Sequence, residues 1–162
     1  MSETIEERQA RMEAVLRAGA KHVREDLAGT INSWLAPVFE SCDAESGTYT
    51  CSFAMRKEYA NPSGVVLHGG LTAVLFDSAM GHLSRFYAGG MTPTISLNLS
   101  YLRPVPVDRP IFIRSHMDKP GSLANYLSAV AYTADAPDKI LATATGVYLS
   151  QNRQQKTAAS LS

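Results

Sequence analysis

The 162 residues are 45% hydrophobic and 19% charged, and 15 lysines and arginines are cancelled by 15 aspartates and glutamates. This is an ordinary globular composition, long enough for one domain with a substantial core, and its charge balance gives no footing for a nucleic-acid-binding surface. No apolar run approaches the roughly 20 residues of a membrane span, and the opening Met1-Ser2-Glu3-Thr4 is acidic where a secretory leader is basic and then apolar, so a cytoplasmic protein with no membrane partner is expected.

In chain order, the first third reads as helix. Thr4-Ile5-Glu6-Glu7 matches a capping box, and Ile5, Met12, Val15, Leu16, Val23, Leu27, Ile31 and Trp34 form one apolar stripe. The stripe should break near Gly29 and stop at Pro37, which makes residues 1–36 a helical extension. His22, among Lys21, Arg24 and Glu25, belongs to a solvated face. Beyond Pro37 the period changes to two. Val38–Asp43 is a short strand, Glu45-Ser46-Gly47 a turn, and Tyr49, Cys51, Phe53 and Met55 alternate with polar or small residues as in a strand with one buried face. Cys42 and Cys51 flank that turn and read as reduced structural thiols, against a disulfide or a catalytic cysteine.

Asn61-Pro62-Ser63-Gly64 then interrupts the chain ahead of an apolar helix over about 69–87, closed by Gly89-Gly90. Ile95, Leu97, Leu99 and Tyr101 alternate with Ser96, Asn98 and Ser100 in a strand that Pro104 and Pro106 end. Three more strands follow at about 110–118, 122–134 and 139–150, divided by Asp118-Lys119-Pro120-Gly121 and Asp135-Ala136-Pro137-Asp138. Short turns imply an antiparallel sheet, and a helix apolar on most of its faces must be wrapped by something. The expected domain, residues 37–150, is therefore an α+β unit in which a curved antiparallel sheet folds around one helix. Residues 151–162 are polar and unpatterned and should fray.

The chemistry concentrates in His68-Gly69-Gly70-Leu71-Thr72-Ala73-Val74-Leu75-Phe76-Asp77. Two glycines at a helix start leave backbone N–H groups open to an anion. A lone carboxylate among Leu71, Val74, Leu75, Phe76, Met80 and Leu83 is costly to bury unless something uses it. An anion hole with a nearby carboxylate is suited to attack on an acyl carbonyl.

This block, with Asn61-Pro62-x-Gly64 before it, Gly81 after it and Thr94-Ile95-Ser96-Leu97-Asn98-Leu99-Ser100-Tyr101-Leu102-Arg103-Pro104 beyond, resembles the hotdog-fold acyl-CoA thioesterases of the phenylacetic-acid-degradation type. The common pattern has two residues between the motif glycine and the histidine; here Val65, Val66 and Leu67 intervene. The resemblance implies Asp77 as nucleophile or general base, the Gly69 or Gly70 N–H as oxyanion donor, and His68 as an orienting residue. It also implies Asn61 and Thr94 as contacts to carbonyl or water, and Arg103 at a position suited to coenzyme A phosphates. Lys119, Arg56 and Lys57 are further cations for those phosphates, with solvated surface charges as the plain alternative. Tyr59, Phe86, Tyr87, Trp34 and Met91 are candidates to line an acyl pocket.

Geometry adds a partner. Gly70 and Asp77 are seven residues apart, about 10 Å along one helix, too far for a single thioester carbonyl to meet both. An antiparallel second copy would bring one chain's acid to the other's glycines, giving a homodimer or a dimer of dimers with sites at the interface. The four histidines at 22, 68, 82 and 116 lack metal-ligand spacing, so no metal is invoked, and no cofactor is needed beyond the coenzyme A of the substrate. His82, five residues after Asp77, reads as an interface or core residue. The competing functions are a hydratase or dehydratase on the same fold, and a non-catalytic acyl-CoA-binding module.

Overall fold

A computed structural model describes residues 3–150; the expected tail, 151–162, lies outside the described residues. The elements are α1 (Ile5–Asp26), α2 (Ile31–Trp34), β1 (Val38–Asp43), β2 (Thr48–Phe53), a 3-10 turn (Lys57–Tyr59), α3 (Gly69–Ala88), β3 (Thr94–Tyr101), β4 (Ile111–Lys119), β5 (Ala124–Tyr132) and β6 (Ala142–Leu149). The six strands form one antiparallel sheet in the order β1-β2-β4-β5-β6-β3. Its inner face carries Tyr49, Cys51, Phe53, Ile111, Ile113, Leu127, Ala129 and Ala144, all buried. The long helix supplies Leu75, Phe76, Ala79, Met80 and Leu83, each 0% exposed, to the same core. Among these, each Leu, Phe or Met side chain contributes roughly 1.5–3 kcal/mol of gross apolar burial. This is the hotdog arrangement.

The α3 helix needs cover on the side away from the sheet as well, and α1 provides it. Thr4 caps α1 reciprocally with Glu7, and Met12, Leu16 and Ala20 sit in the shared core. At the crossing, a Cβ on Gly19 would lie 2.9 Å from the His82 ring, so only glycine lets the helices approach this closely. Gln9 then ties α1 to the sheet edge: Nε2 donates to the Cys42 carbonyl at 3.0 Å and Oε1 accepts from Ala44 N–H at 2.7 Å. The described part of the N-terminal segment, residues 3–36, thus shares its core with the rest of the chain.

One sequence expectation needs correction. The strands from residue 94 onward are not all joined by turns. β3 pairs with β6 at the far edge, and residues 102–110 carry the chain back across the sheet to β4. Both β2 and β3 offered β4 alternating faces, so local pattern could not choose its neighbour, which is β2. The expectation of reduced cysteines holds: Cys42 faces Tyr49 across the hairpin and Cys51 faces Phe39. Both are free thiols, and burial drives the Cys51 thiol up to about 12.

Candidate active site

The α3 helix carries two polar centres about two turns apart. At its start, His68 is the N-cap, and its Nδ1 accepts the Gly70 N–H at 3.0 Å. Accepting at Nδ1 leaves the neutral ring's proton on Nε2. With Gly70 so engaged and Thr72 N–H bonded to the His68 carbonyl, the Gly69 N–H has no acceptor among the described residues. Of the glycine pair it is the open donor, at the positive end of a 20-residue helix. Tyr101 Oη donates to the Gly69 carbonyl at 2.7 Å and pins this peptide from the end of β3. A cleft of ≈ 370 Å³ opens here, with Asn61, Leu67, Gly69, Thr72, Tyr101 and Arg103 on its walls.

Asn61 reaches that cleft through a small hairpin. Its N–H donates to the Val66 carbonyl at 2.7 Å, while His68 N–H donates to the Tyr59 carbonyl at 2.9 Å. Gly64, at φ +75°, closes the turn between them, a conformation that only glycine adopts without strain. The additional residue before His68 is accommodated in this loop, where Val65 projects to solvent, and α3 still starts at Gly69. Asn61 Oδ1 is occupied by the Ser63 N–H at 2.9 Å. Its side chain therefore builds the turn as well as bordering the cleft.

The second centre is Asp77, half-buried on α3. Its Oδ1 accepts from Thr94 Oγ1 at 2.7 Å and from Tyr148 Oη at 3.1 Å, and Oδ2 has no partner among the described residues. Tyr148 also approaches the Asp77 carbonyl, at 3.3 Å. Thr94 and Tyr148 are cross-strand partners in the β3–β6 ladder, so the sheet edge presents both hydroxyls to one carboxylate oxygen. Burial, followed by the Asp77 charge, pushes the Tyr148 phenol far up, which keeps it a proton donor at any working pH. Sequence reasoning did not find Tyr148.

The remaining candidates separate. Arg103 borders the Gly69 cleft, with Nη1 on the Ile140 carbonyl at 2.6 Å. Lys119 lies exposed at the end of β4, in the row of Tyr126 and Val147 and three strands from the β3 edge that meets Asp77. Phe86 does not line an opening: it is 5% exposed, beneath the Arg11 guanidinium at 4.5 Å and edge-on to Tyr87. The cover given by α1 makes it a packing residue. Tyr59 donates to the Trp34 carbonyl at 2.9 Å, fastening α2 to the loop, and is not on the cleft wall. His82, under α1, bonds the Ser78 carbonyl at 2.7 Å, and burial lowers its pKa. Among the described residues, no three His, Cys, Asp or Glu side chains converge as a metal site would require, and no helix is long and apolar enough to cross a membrane.

A fold of this kind is found in known proteins. The family model described as the thioesterase superfamily matches residues 64–123. Human acyl-coenzyme A thioesterase 13 is 33% identical over 101 residues, spanning 61% of this chain and 70% of that protein. Bovine acyl-coenzyme A thioesterase THEM4 is 32% identical over 84 residues, 52% of this chain, but the match spans only 33% of that longer protein. In fold, a phenylacetic acid degradation-related protein from Ralstonia eutropha JMP134 superposes with a TM-score of 0.67 at 22% identity, over 81% of this chain and 98% of its own. The chain belongs to the thioesterase superfamily.

Proposed function

We propose that this protein is an acyl-CoA thioesterase that hydrolyses a thioester to a free acid and coenzyme A. The observation that carries the reading is the pair of centres on α3: a carboxylate with one oxygen held by two hydroxyls and the other open, and an unpaired N–H at the helix start beside a cleft. The names of the 33%-identical human relative and the 32%-identical bovine one support the substrate class.

In the reaction, the thioester carbonyl oxygen sits on the Gly69 N–H, with the helix dipole aiding the developing negative charge. Asp77 acts in one of two ways. As general base it takes a proton from water while the water oxygen bonds the carbonyl carbon. As nucleophile it bonds that carbon itself, and water later cleaves the resulting anhydride. In both, the C–S bond breaks and the thiolate leaves with a proton to form coenzyme A. Arg103, at the mouth of the same cleft, is a cation for the coenzyme's phosphates.

The site is completed by a second copy, because Gly69 and Asp77 lie too far apart on one helix for one carbonyl. β3 supports this geometry. It is an edge strand with Ile95 57% and Tyr101 55% exposed, the sort of edge that recruits another strand. Its first residue touches Asp77 and its last touches Gly69. Antiparallel pairing of β3 with a second β3 sets the start of one beside the end of the other, and so one chain's acid beside the other chain's donor.

The test is a thiol-release screen over short, medium, long and aromatic acyl-CoAs. Asp77→Asn keeps volume but removes both basicity and nucleophilicity, and kcat should fall at least about a hundredfold in a folded protein. Full activity in that variant refutes the role of Asp77. Tight binding of acyl-CoA without thiol release by the wild type would favour a binding module.

A further inference from the structure

We propose that Tyr148 is a positioning residue that fixes the Asp77 carboxylate by its Oδ1, so that Oδ2 is the oxygen that reacts. The inference rests on the thioesterase reading above and adds a residue and an atom to it. A carboxylate on a helix rotates freely about its last bond unless both its oxygens are distinguished. Here they are: Oδ1 receives Thr94 Oγ1 at 2.7 Å and Tyr148 Oη at 3.1 Å, and Oδ2 receives neither.

Thr94 alone would be a weak anchor. It is exposed and lies beside a register shift at the start of an edge strand. Tyr148 is the rigid half of the pair, 1% exposed and seated in a slot that the chain keeps open for its ring. The slot has two glycines. On its own strand, two residues earlier and on the same face, a Cβ at Gly146 would fall 2.7 Å from ring atom Cε2 and 3.2 Å from Met80 Cε. On α3, a Cβ at Gly81 would touch ring atom Cε1 at 3.7 Å. Any side chain at 146 displaces the ring, and the phenol with it. The ring is thus held by packing, which sets where its hydroxyl meets Asp77, while the raised phenol pKa keeps the proton in place for donation. A second hydroxyl on the same oxygen also concentrates hydrogen bonding there, leaving Oδ2 the less satisfied and more available lone-pair site.

Tyr148→Phe removes the hydroxyl and keeps the ring. Measured on the best acyl-CoA, kcat should fall about tenfold or more, the scale of one hydrogen bond to a charged group, with KM within about twofold because Tyr148 touches no substrate. Gly146→Ala, which moves the ring without altering a hydroxyl, should lower kcat in the wild-type background and add little in the Tyr148→Phe background. Thermal melting confirms that each variant is folded. Unchanged kcat in a folded Tyr148→Phe variant, while Asp77→Asn is inactive, overturns the inference and leaves the thioesterase reading standing. A matched rise in KM, or a Gly146→Ala effect that persists undiminished without the hydroxyl, also overturns it, since either marks a packing role. Absence of hydrolysis by the wild type overturns the reading and the inference together.

Discussion

Mixing two inactive chains tests the shared site directly. One carries Asp77→Ala and lacks the acid. The other carries Gly69→Val and loses the anion hole. A Cβ at Gly69 already comes within 3.5–3.7 Å of the Tyr101 ring, so valine's methyl groups fill the cleft and strain the Tyr101 contact to the Gly69 carbonyl. If each site takes its acid from one chain and its N–H from the other, a mixed dimer contains one site with both lesions and one with neither. Random exchange at equal amounts makes half the dimers mixed, and each restores one site of two, so the ceiling is about a quarter of wild-type activity. Each parent should lie at least about a hundredfold below wild type, so recovery stands roughly 25-fold above either. Thiol release after exchange gives the readout, and native mass spectrometry counts the mixed species. No recovery with heterodimers demonstrably present refutes the shared site and requires each chain to build its own.

Two further predictions concern buried titratable groups. His82 has a folded pKa below its ordinary 6.5, chiefly through burial, so near that pH the unfolded chain binds a proton that the folded chain refuses. The stability it contributes is complete above 6.5 and is lost as pH falls through the depressed folded value. The melting temperature should therefore decline on acidification below 6.5, less steeply in His82→Gln, and equal slopes refute the assignment. This window is distinct from that of Asp43, Asp108 and Asp135, whose lowered values matter only below the ordinary 3.8. Cys51, fully buried with its thiol near 12, should resist iodoacetamide at pH 8 in the native protein and react on unfolding. Native labelling of Cys51 by mass spectrometry contradicts this.

What could be read from the sequence was whatever lies close together in it. His68 through Asp77 is contiguous, so the helix start, its N–H groups and the acid two turns on follow from helical geometry alone. The alternation of β2, β4, β5 and β6 likewise reports each strand's buried face, whereas the apolar side of the edge strand β3 leaves Ile95 and Tyr101 exposed. Legibility stops where two distant segments meet. Tyr148 is 71 residues from Asp77 and reaches it only because β6 lies beside β3 at the sheet edge. Its one local trace is Gly146, a glycine at the spacing of two that puts it on the tyrosine's own face. Phe86 shows the converse failure. Near a helix end it had the look of a pocket residue, and only the crossing of α1 over α3, with Arg11 on the ring, assigns it to the core.

In the proposed shared site, the shape of β3 is what divides the chemistry between chains. A strand of eight residues is roughly 26 Å long, so its two ends are far beyond the reach of one thioester. It nevertheless grips both centres, Asp77 through Thr94 and Gly69 through Tyr101, and runs alongside the helix that carries them. Within one chain, the acid and the donor are held rigidly apart. An antiparallel two-fold in which Thr94 faces residue 101 of the second copy also sets Leu97 against residue 98, and converts that fixed separation into a fixed proximity. In that proposed arrangement Arg103, at the Gly69 end, would come toward the other chain's Asp77. A substitution that breaks β3 pairing should thus abolish hydrolysis in both sites at once while leaving Asp77, Thr94 and Tyr148 in place within each monomer.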